Sequence, residues 1–380
     1  MKEKKALLYF PVPLKNKNSG IAKKCLGIID AFKSAYEVDV MSEFNGEVFF
    51  NDKKIKDYNA TPNKMRFYYY NDIFLGQFSV FSKLVSGNKY DVVYVRIHYF
   101  VTFGLLSFFK KMQRANNKVR IYIEIPTFPF EEELKSKLHR FRNWLNGLTI
   151  PRLKKYVTKI ITLSNDDNIW EIPTVRISNG FLPAVTDKEL VRRKPNMTDG
   201  EFHIGMIAQF SDWHAADILV KSLKAYVLTS AAIKIRVHFI GKMIAKVIEM
   251  VEIENLEHDI IFHDEKDALE IATFLNDIHV CVGTLGHHRK NIQLDSSLKN
   301  REYAFSGMPM ILKTPDLDFP KELFFVKYFP DDDSLLNLNE VVDFYNKLKI
   351  EHPDYKNEII DYAKANLAWK IKLKAVLEPG

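Results

Sequence analysis

Cysteine is scarce in this sequence: among 380 residues there are only two, Cys25 and Cys281. Both stand in apolar surroundings, which favours buried free thiols over a disulfide and indicates a reducing, cytoplasmic environment. The longest hydrophobic run, near residues 99–109, is too short to cross a bilayer, so we expect no membrane-spanning helix. The first five residues lead directly into the strand-like run 6–10, so we expect no signal peptide.

A complete set of metal ligands is missing as well. His287 and His288 are adjacent, but a third ligand at a fixed spacing does not accompany them, so we predict no metal site. The acidic run 331–333 precedes a helical pattern that begins near Ser334, and helix capping accounts for it better than metal binding. No recognised nucleic-acid motif accompanies the basic residues, so binding to DNA or RNA is not expected.

What the sequence has instead is an uneven distribution of charge. The net charge is +7, but residues 1–180 hold 30 Lys/Arg and 17 Asp/Glu (+13), and the remainder holds 25 and 31 (−6). A basic half beside an acidic half indicates that one domain faces an anionic partner. Between residues 134 and 156 the cations are interleaved with large apolar residues, which is typical of a segment at an anionic membrane surface. A solvated helix that packs its apolar stripe on its own domain is the alternative.

Strand-like and helix-like patterns alternate along the chain. Helical patterns follow Gly20 and recur at 215–229, 265–276 and 296–306. Strand patterns lie at 6–10, 37–41, 65–70, 91–97, 119–125, 159–163, 203–208, 235–240, 259–262, 279–282 and 310–312. Such alternation predicts parallel sheets with helices on both faces, so we expect an α/β protein of two doubly wound, Rossmann-like domains facing across a cleft.

The break between the two predicted domains falls near the polar stretch 186–200. We expect an N-terminal domain at 1–182 and a C-terminal domain at 183–352. The remaining residues, 353–380, look helical and could cross back to the first domain. Doubly wound sheets bind ligands at the carboxyl ends of their strands, so the facing strand ends are the expected site.

The segment 283–311 carries the clearest chemical signal. It lies between two apolar, strand-like runs and contains a glycine-bearing loop, a helix that begins near Ser297, and one acid, Glu302. Its basic side chains are Arg289, Lys290, Lys299 and Arg301. A loop with free amides, a helix N-terminus and flanking cations together suit phosphate groups, and a carboxylate one turn further in suits the hydroxyls of a ribose. The segment therefore predicts a site for a nucleoside diphosphate.

At this point the residues resemble those of the GT-B glycosyltransferases, in particular the large retaining family 4. The resemblance covers most of the chain and is strongest at 20–24, 162–180, 204–223 and 283–311. Residues 172–180 resemble the end of that family's first domain. Gly307-Met-Pro-Met-Ile311 resembles the glycine-x-proline-strand step that follows its donor-site helix.

The resemblance implies a reaction. A sugar would pass from a nucleotide sugar, UDP-linked by family frequency, to an acceptor hydroxyl with retention at the anomeric carbon. The nucleotide would sit on the second domain, and a glycan or lipid-linked acceptor on the first, in surface polysaccharide or glycan synthesis. Neither a metal nor a cofactor is implied, because protein cations and helix ends neutralise the leaving group. The protein would then be cytoplasmic and peripheral at the inner face of a membrane.

Carried over residue by residue, the resemblance gives two matches and two departures. Glu302 matches the second Glu of the family's E-x7-E motif, which implies a ribose contact. The first Glu, which approaches the donor sugar, would stand at Leu294. The family's Arg and Lys on the diphosphate would stand near Gln209 and His214, from which we expect hydrogen bonds instead. The glycine-proline step of the segment 283–311 keeps the family's spacing to Glu302.

The phosphate charge is then expected to rest on other cations. Lys299, Arg289 and Lys290 are the candidates, with a solvated basic face as the alternative for all three. Ser297 is the expected cap of the donor-site helix and lies beside the same phosphates. Arg301 is expected at the surface.

Four residues of the first domain complete the prediction. Gly20 and Ile21 resemble the loop that closes over the donor phosphates, where a residue without a side chain lets backbone amides approach; a plain strand-to-helix turn is the alternative. Glu124 ends a buried strand and could act as general base or acceptor clamp, or else cap the following helix. His98 follows the strand 91–97 and could face the same acceptor, or be a satisfied core histidine.

Two other functions compete with transfer. A non-catalytic GT-B subunit that binds a partner or glycan would explain Leu294 and the missing Arg and Lys. A nucleotide-sugar epimerase of the same fold would convert a donor without any acceptor.

Overall fold

The structure is a computed structural model that describes residues 4–15, 19–58, 78–97, 100–126, 128, 137–182, 200–229 and 233–378, with the backbone alone described at 79 and 137–142. Its contacts divide the chain into two compact units, Met1–Ser178 with Lys372–Gly380, and Asn179–Ile371. The predicted strand at 65–70 and most of the predicted linker lie outside the described residues.

The first unit is built on a nine-stranded mixed sheet. Its strands are β1 Lys5–Phe10, β2 Glu37–Phe44, β3 Glu47–Phe50, β4 Lys53–Asp57, β5 Val92–Arg96, β6 Arg120–Glu124, β7 Lys159–Thr162, β8 Asn168–Ile169 and β9 Ile172–Arg176. The spatial order is β4-β3-β2-β1-β5-β6-β7-β9-β8, and the central pairings are parallel. The order reverses between β1 and β5, so the crevice of this sheet lies at the carboxyl ends of those two strands.

The hairpins at one edge of this sheet were not predicted. Asn45-Gly46 joins β2 to β3 and Asn51-Asp52 joins β3 to β4, and all four residues have positive φ. Two-residue turns with both central residues left-handed match the twist of antiparallel strands, which makes Asn-Gly a strong hairpin signal. The predicted strand ended at residue 41, so the prediction missed this Asn-Gly hairpin signal.

Four helices of the first unit cover its sheet: α1 Gly20–Lys33, α2 Phe78–Leu84, α3 Phe103–Ala115 and α4 Lys137–Leu153. The predicted helix after Gly20 is confirmed, because α1 buries Cys25, Ile28 and Phe32 on one face. Ser19 occupies the cap position with an extended backbone, but its side chain makes no capping hydrogen bond.

The second unit has a six-stranded sheet in which every pairing is parallel. Its strands are β10 Glu201–Ile207, β11 Lys234–Ile240, β12 Ile260–His263, β13 Val280–Val282, β14 Met310–Leu312 and β15 Val326–Tyr328. The order β12-β11-β10-β13-β14-β15 reverses at β10 and β13. Where the strand order of a doubly wound parallel sheet reverses, the connections on either side run in opposite directions, and a ligand crevice opens at the carboxyl ends of the two strands.

The remaining helices complete the unit and the chain. They are α5 Ala216–Val227, α6 Ala245–Ile253, α7 Ala268–Phe274, α8 Leu298–Phe305, α9 Leu338–Glu351, α10 Tyr355–Asn366, α11 Trp369–Lys372 and α12 Lys374–Leu377. The last of them packs on the first unit: Tyr36 Oη donates to Leu377 O at 2.9 Å, and Arg120 Nη2 donates to Tyr36 Oη at 2.8 Å.

A row of three histidines crosses the second sheet, with one ring each on β10, β11 and β12. His203 Nδ1 lies 2.9 Å from His238 Nε2, and His238 Nδ1 lies 3.0 Å from His263 Nε2. Each of these hydrogen bonds needs one protonated and one bare nitrogen, so the rings fit together in their neutral forms. Burial, together with the neighbouring imidazoles, lowers the pKa of His238 to about 3.

We expect this row to make the protein sensitive to acid. Unfolding exposes His238 and returns its pKa to the ordinary value of 6.5, so its contribution is complete above pH 6.5 and is lost as the pH falls toward 3. Replacing His238 by Gln should lower the slope of the unfolding free energy between pH 6.5 and pH 5 by about 1 kcal/mol per pH unit. Urea denaturation at several pH values measures that slope. The exposed His258 is the matched control, and an unchanged slope for His238→Gln would assign the acid response to other groups.

Candidate functional site

Two loops meet at the crevice of the second sheet, one after β10 and one after β13, and glycines let them pack closely. A Cβ on Gly283 would lie 2.5 Å from a methyl group of Leu312, and one on Gly286 would lie 2.7 Å from the Cβ of Ala215. A side chain at Gly286 would force the two loops apart, and one at Gly283 would displace the side chain of Leu312 on β14. The glycines of the predicted phosphate segment therefore bring the loop backbone against its neighbours.

Lys299 is the most unusual residue of this crevice. It lies in the first turn of α8, and its ammonium group is buried with no hydrogen-bond partner among the described residues. Burial lowers the pKa of Lys299 to about 8, although the carboxylate of Asp295 opposes that shift. Buried charges in proteins are ordinarily paired, so an unpaired ammonium beside a helix N-terminus indicates a place for an anion.

His214 supplies a neutral donor at the same crevice. Its Nδ1 accepts a hydrogen bond from the backbone N–H of Ser211 at 3.1 Å. Burial and the nearby cation Lys299 lower the pKa of His214 to about 3, so the ring is neutral at pH 7. A neutral ring that accepts at Nδ1 carries its proton on Nε2, which leaves an N–H donor for a ligand.

An aromatic stack supports this histidine. Trp213 lies against His214 with ring centroids 4.0 Å apart, and against His287 at 5.8 Å. The predicted phosphate ligand Lys290 places its ammonium 4.9 Å from the centre of the Trp213 ring. This cation–π contact holds the exposed Lys290 beside the crevice, and its phosphate contact stays a prediction.

Several buried polar atoms of the crevice have no partner among the described residues. Besides the Lys299 ammonium they are Thr284 Oγ1, His287 Nδ1, Asn300 Oδ1 and Thr314 Oγ1. Native proteins leave few such atoms, so a cluster of them at one sheet edge indicates a polar ligand. Thr284 and Thr314 were missed from the sequence; each is the second residue after a buried strand, β13 and β14, and that position was the available signal.

The start of α8 is organised by a carboxylate that the sequence prediction left aside. Asp295 is buried and accepts hydrogen bonds from Ser297 N at 2.8 Å, from Ser297 Oγ at 3.1 Å and from Asn300 Nδ2 at 2.8 Å. Ser297 stands at the cap position as predicted, but its hydroxyl donates to Asp295 and does not cap the helix. Leu294, one residue earlier, is half-buried.

Glu302 and Gln209 lie on different elements of the second unit, α8 and the loop after β10. Glu302 is half-buried on α8, one turn beyond Lys299, where the resemblance places a ribose contact. Gln209 is exposed directly after β10, at the carboxyl edge of the sheet. Both positions suit ligand contact, and both roles stay predictions.

Arg289 was expected to bind phosphate, but its guanidinium is already engaged by carboxylates. Its Nη1 and Nη2 donate to the two oxygens of Asp217 at 2.8 and 3.0 Å, and its Nε donates to Asp333 at 2.8 Å. These hydrogen bonds raise the pKa of Arg289. The side chain ties the loop after β13 to α5 and to the acidic run 331–333, so we assign it to the scaffold of the crevice.

Arg301 was expected at the surface, and that prediction is wrong. Its side chain is completely buried and pairs with Asp316 and Asp318, with Nη2 of Arg301 2.8 Å from Asp316 Oδ1. Its Nε also donates to Asn179 O at 3.0 Å, and its Nη1 to Ser297 O at 3.2 Å. Arg301 lies on the face of α8 that packs on the loop after β14, and the aspartates of that loop make the burial of its charge possible.

In the first unit, Glu124 has a different setting from the predicted one. It ends β6, is buried, and accepts hydrogen bonds from Tyr94 Oη at 2.9 Å, from Lys24 Nζ at 2.7 Å and from Arg96. Burial alone would raise the pKa of Glu124, but the two cations hold it at about 2. A carboxylate this acidic and this well paired is a poor general base, so the geometry assigns Glu124 to an ion network that ties α1 to β5 and β6.

The other candidates of the first unit lie at the crevice of its sheet or outside the described residues. Gly20 and Ile21 open α1 and are exposed. His98 falls outside the described residues. Neither the predicted phosphate contact of Gly20 and Ile21 nor the predicted acceptor contact of His98 is tested by the structure.

Two further features of the described residues concern metal binding and membrane spanning. Within the described ranges, no group of three or more His, Cys, Asp or Glu side chains is arranged to hold a metal ion. None of the helices described above combines the length and the apolar character that a membrane span needs.

Comparison with solved structures identifies the fold. A glycosyltransferase from Rickettsia africae matches with a TM-score of 0.62 and 11% identity, covering 99% of this chain and 97% of that one. The catalytic domain of starch synthase IV from Arabidopsis thaliana, bound to ADP and acarbose, gives 0.60 at 11% identity, covering 99% and 98%. HepE from Anabaena, in complex with UDP-glucose, gives 0.52 at 12% identity, covering 98% of each chain.

These likenesses establish the architecture of the chain. No family model matches it, and no curated protein sequence does either. At such low sequence identity the structural matches establish the fold and nothing more. The fold is the GT-B fold of glycosyltransferases, with one Rossmann-like unit on a nine-stranded sheet and another on a six-stranded parallel sheet, and the predicted fold class is confirmed.

Proposed function

We propose that the protein is a glycosyltransferase that moves a sugar from a nucleotide sugar to a glycan or lipid-linked acceptor. The observation that carries the proposal is the buried, unpartnered ammonium of Lys299 at the N-terminus of α8. It stands at the carboxyl edge of the second sheet of a GT-B fold, where doubly wound sheets bind their ligands. A dianionic diphosphate would supply the missing counter-charge.

The chemistry of the crevice suits a diphosphate leaving group. Lys299 brings a positive charge, and the first-turn amides of α8 point out of the helix end with the positive pole of its dipole. His214 Nε2–H and the hydroxyls of Thr284 and Thr314 add neutral donors. Stabilising the negative charge that develops on the departing phosphate, together with correct positioning, is how such a site accelerates transfer. We propose that these groups do so without a metal ion.

The donor is proposed to be a UDP-sugar, with Glu302 on the ribose and retention at the anomeric carbon. Among the similar structures one holds ADP and another holds UDP-glucose, so the fold serves more than one base. Leu294 would give the donor sugar an apolar neighbour. An ammonium that is buried without a partner would be hard to maintain in a protein that binds no anion, which favours this proposal over a non-catalytic subunit.

A nucleotide panel tests the proposal. The melting temperature of the wild type is measured with UDP, GDP, ADP and CMP, each with and without Mg²⁺, and then repeated for Glu302→Ala. One nucleoside diphosphate should stabilise the protein without metal, by about 2.7 kcal/mol at a hundred times its Kd. Glu302→Ala should reduce that shift, while Glu249→Ala on the distant α6 should keep it. Stabilisation by none of the nucleotides would overturn the donor-site proposal.

Transfer itself needs a second measurement. Release of free nucleotide from the matching nucleotide sugar should rise when glycan or lipid-linked acceptors are added. Conversion of the donor to another sugar nucleotide without acceptor would instead identify an epimerase. Nucleotide binding without either reaction would identify a binding subunit.

A further inference from the structure

The helix α4 presents an apolar surface to solvent. Trp144 is 63% exposed and Leu148, one turn later, is 43% exposed. Gly147, Pro151 and Arg152 are exposed on the same side of the helix. We call the surface formed by Trp144, Leu148, Pro151 and Arg152 the α4 face. Large apolar side chains that stand together on a solvated helix mark interaction sites more often than isolated ones do.

The orientation of the helix is fixed from its other side. Leu145, Asn146, Thr149 and Leu153 are buried. The carboxamide oxygen of Asn146 accepts a hydrogen bond from Val101 N at 3.0 Å, which anchors the helix at the start of the α3 region. Since α4 already has a packed side, the apolar residues of the α4 face are not the stripe that holds the helix on its own unit. The alternative raised from the sequence, one stripe packed inward, leaves out two of the five described Trp, Leu and Ile residues of the helix, Trp144 and Leu148.

The charge at the C-terminal end of the α4 face is mainly positive. The described residues 143–165 contain four Lys/Arg and no Asp/Glu. Three of these cations, Arg152, Lys154 and Lys155, are exposed at the C-terminal end of the helix. Lys154 also pairs with Glu171, whose side chain is exposed, so this pair is accessible to water and is worth little. A surface of this kind combines a tryptophan, an aliphatic side chain and exposed positive charge at one end of the helix.

We propose that the α4 face docks the protein on an anionic lipid bilayer. Tryptophan prefers the interface between headgroups and acyl chains, and Leu148 would enter the same layer. Each Lys or Arg held near an anionic surface strengthens that attraction. The charge separates this surface from other exposed apolar residues, because Ile253, exposed by 76%, stands between Glu252 and Glu254.

This inference goes beyond the proposed function and does not depend on it. A lipid surface would be bound whether or not the crevice of the second sheet accepts a nucleotide. If both proposals hold, docking brings the enzyme to acceptors that are themselves anchored in the bilayer. The two are tested by separate readouts, vesicle binding for one and nucleotide-induced stabilisation for the other.

The experiment is co-sedimentation of the full chain with vesicles of phosphatidylcholine alone and of phosphatidylcholine mixed with phosphatidylglycerol. The wild type should bind the mixed vesicles and lose that binding as salt is added. Trp144→Ser with Leu148→Ser should weaken binding by about tenfold for each residue. Arg152→Glu with Lys155→Glu should abolish the preference for the anionic vesicles. Leu228→Ser with Ile253→Ser, at still more exposed positions of the second unit, is the control and should bind as the wild type does.

Other outcomes would overturn the inference. Equal binding to both kinds of vesicle, or no binding to either at low salt, contradicts an anionic lipid partner. Sedimentation velocity tests whether a second copy of the chain binds the α4 face instead. If the wild type is a dimer and the variant Trp144→Ser with Leu148→Ser is a monomer, the α4 face is a subunit contact. Urea denaturation of each variant checks that the first unit still folds, so that a loss of binding reports on the surface.

Discussion

Replacing Lys299 by methionine should abolish stabilisation by the nucleoside diphosphate and should also make the unliganded protein more stable. Methionine keeps the length and apolar contacts of the lysine stem but removes an ammonium that is buried without a partner. Burial lowers the pKa of Lys299 to about 8 even though the Asp295 carboxylate opposes the shift, which shows how unfavourable the charge is there. We expect the unfolding free energy without ligand to rise by about 1–3 kcal/mol.

The same substitution should slow transfer. If Lys299 offsets the charge that develops on the departing diphosphate, its loss should reduce kcat by about 100- to 1000-fold. A gain in stability together with a loss of activity is expected when a group is held in an unfavourable environment because its ligand requires it there. If Lys299 were purely structural, its replacement would destabilise the protein and would leave nucleotide binding unchanged.

Thermal shift with and without nucleotide, followed by steady-state kinetics, measures both effects. Lys347→Met is the control, because Lys347 lies exposed on α9 and, among the described residues, pairs with Glu351 one turn away, so neither quantity should change. Retention of the full nucleotide-induced shift in Lys299→Met would contradict the role given to this lysine. It would direct the search for the phosphate ligand to Lys290.

Sequence patterns were sufficient for what depends on local periodicity. The strand before Gly283, the helix that carries Lys299 and the glycine-proline step into β14 all appear where the pattern predicts them. Period and propensity determine which segments are strands and helices, and parallel order follows from their alternation. The carboxyl edge of the second sheet could therefore be predicted as the site without any knowledge of contacts.

What could not be predicted depends on partners distant in sequence. Arg289 and Arg301 look alike as cations beside a loop, yet each is engaged by carboxylates from other segments. Glu124 appears in the sequence as an acid at a strand end, and only the fold shows that Lys24 and Arg96 both pair with it. Whether a charge is free for a ligand is decided by such pairing, which no single segment encodes.

Replacing Arg301 by methionine should be among the most destabilising single changes in the second unit. The substitution would leave Asp316 and Asp318 buried without their shared counter-charge, and two backbone oxygens would lose a donor. Removing one partner of a buried ion pair typically costs 3–5 kcal/mol, because an uncompensated charge stays behind. Arg236→Met is the matched control: Arg236 also pairs with two acids, Glu201 and Asp259, but at a partly exposed position, so its loss should cost less than about 1 kcal/mol.

A double variant separates the charge from the packing. If the cost of Arg301→Met comes from stranded carboxylates, adding Asp316→Asn should recover part of it, and the two effects should be less than additive. Full additivity would mean that the size and shape of Arg301 matter more than its charge. The measurement is urea denaturation followed by probes in each unit, since a chain of two units need not unfold in one step.

The consequence for function follows from where Arg301 is attached. Its hydrogen bonds to Ser297 O and Asn179 O hold the first turn of α8, the turn that presents Lys299 to the crevice. Arg301→Met should therefore weaken nucleotide binding even under conditions in which the second unit stays folded, by loosening the helix N-terminus on which the phosphate site depends. Nucleotide affinity equal to that of the wild type in the folded variant would show that the site is held by Asp295 and the glycine-packed loops alone.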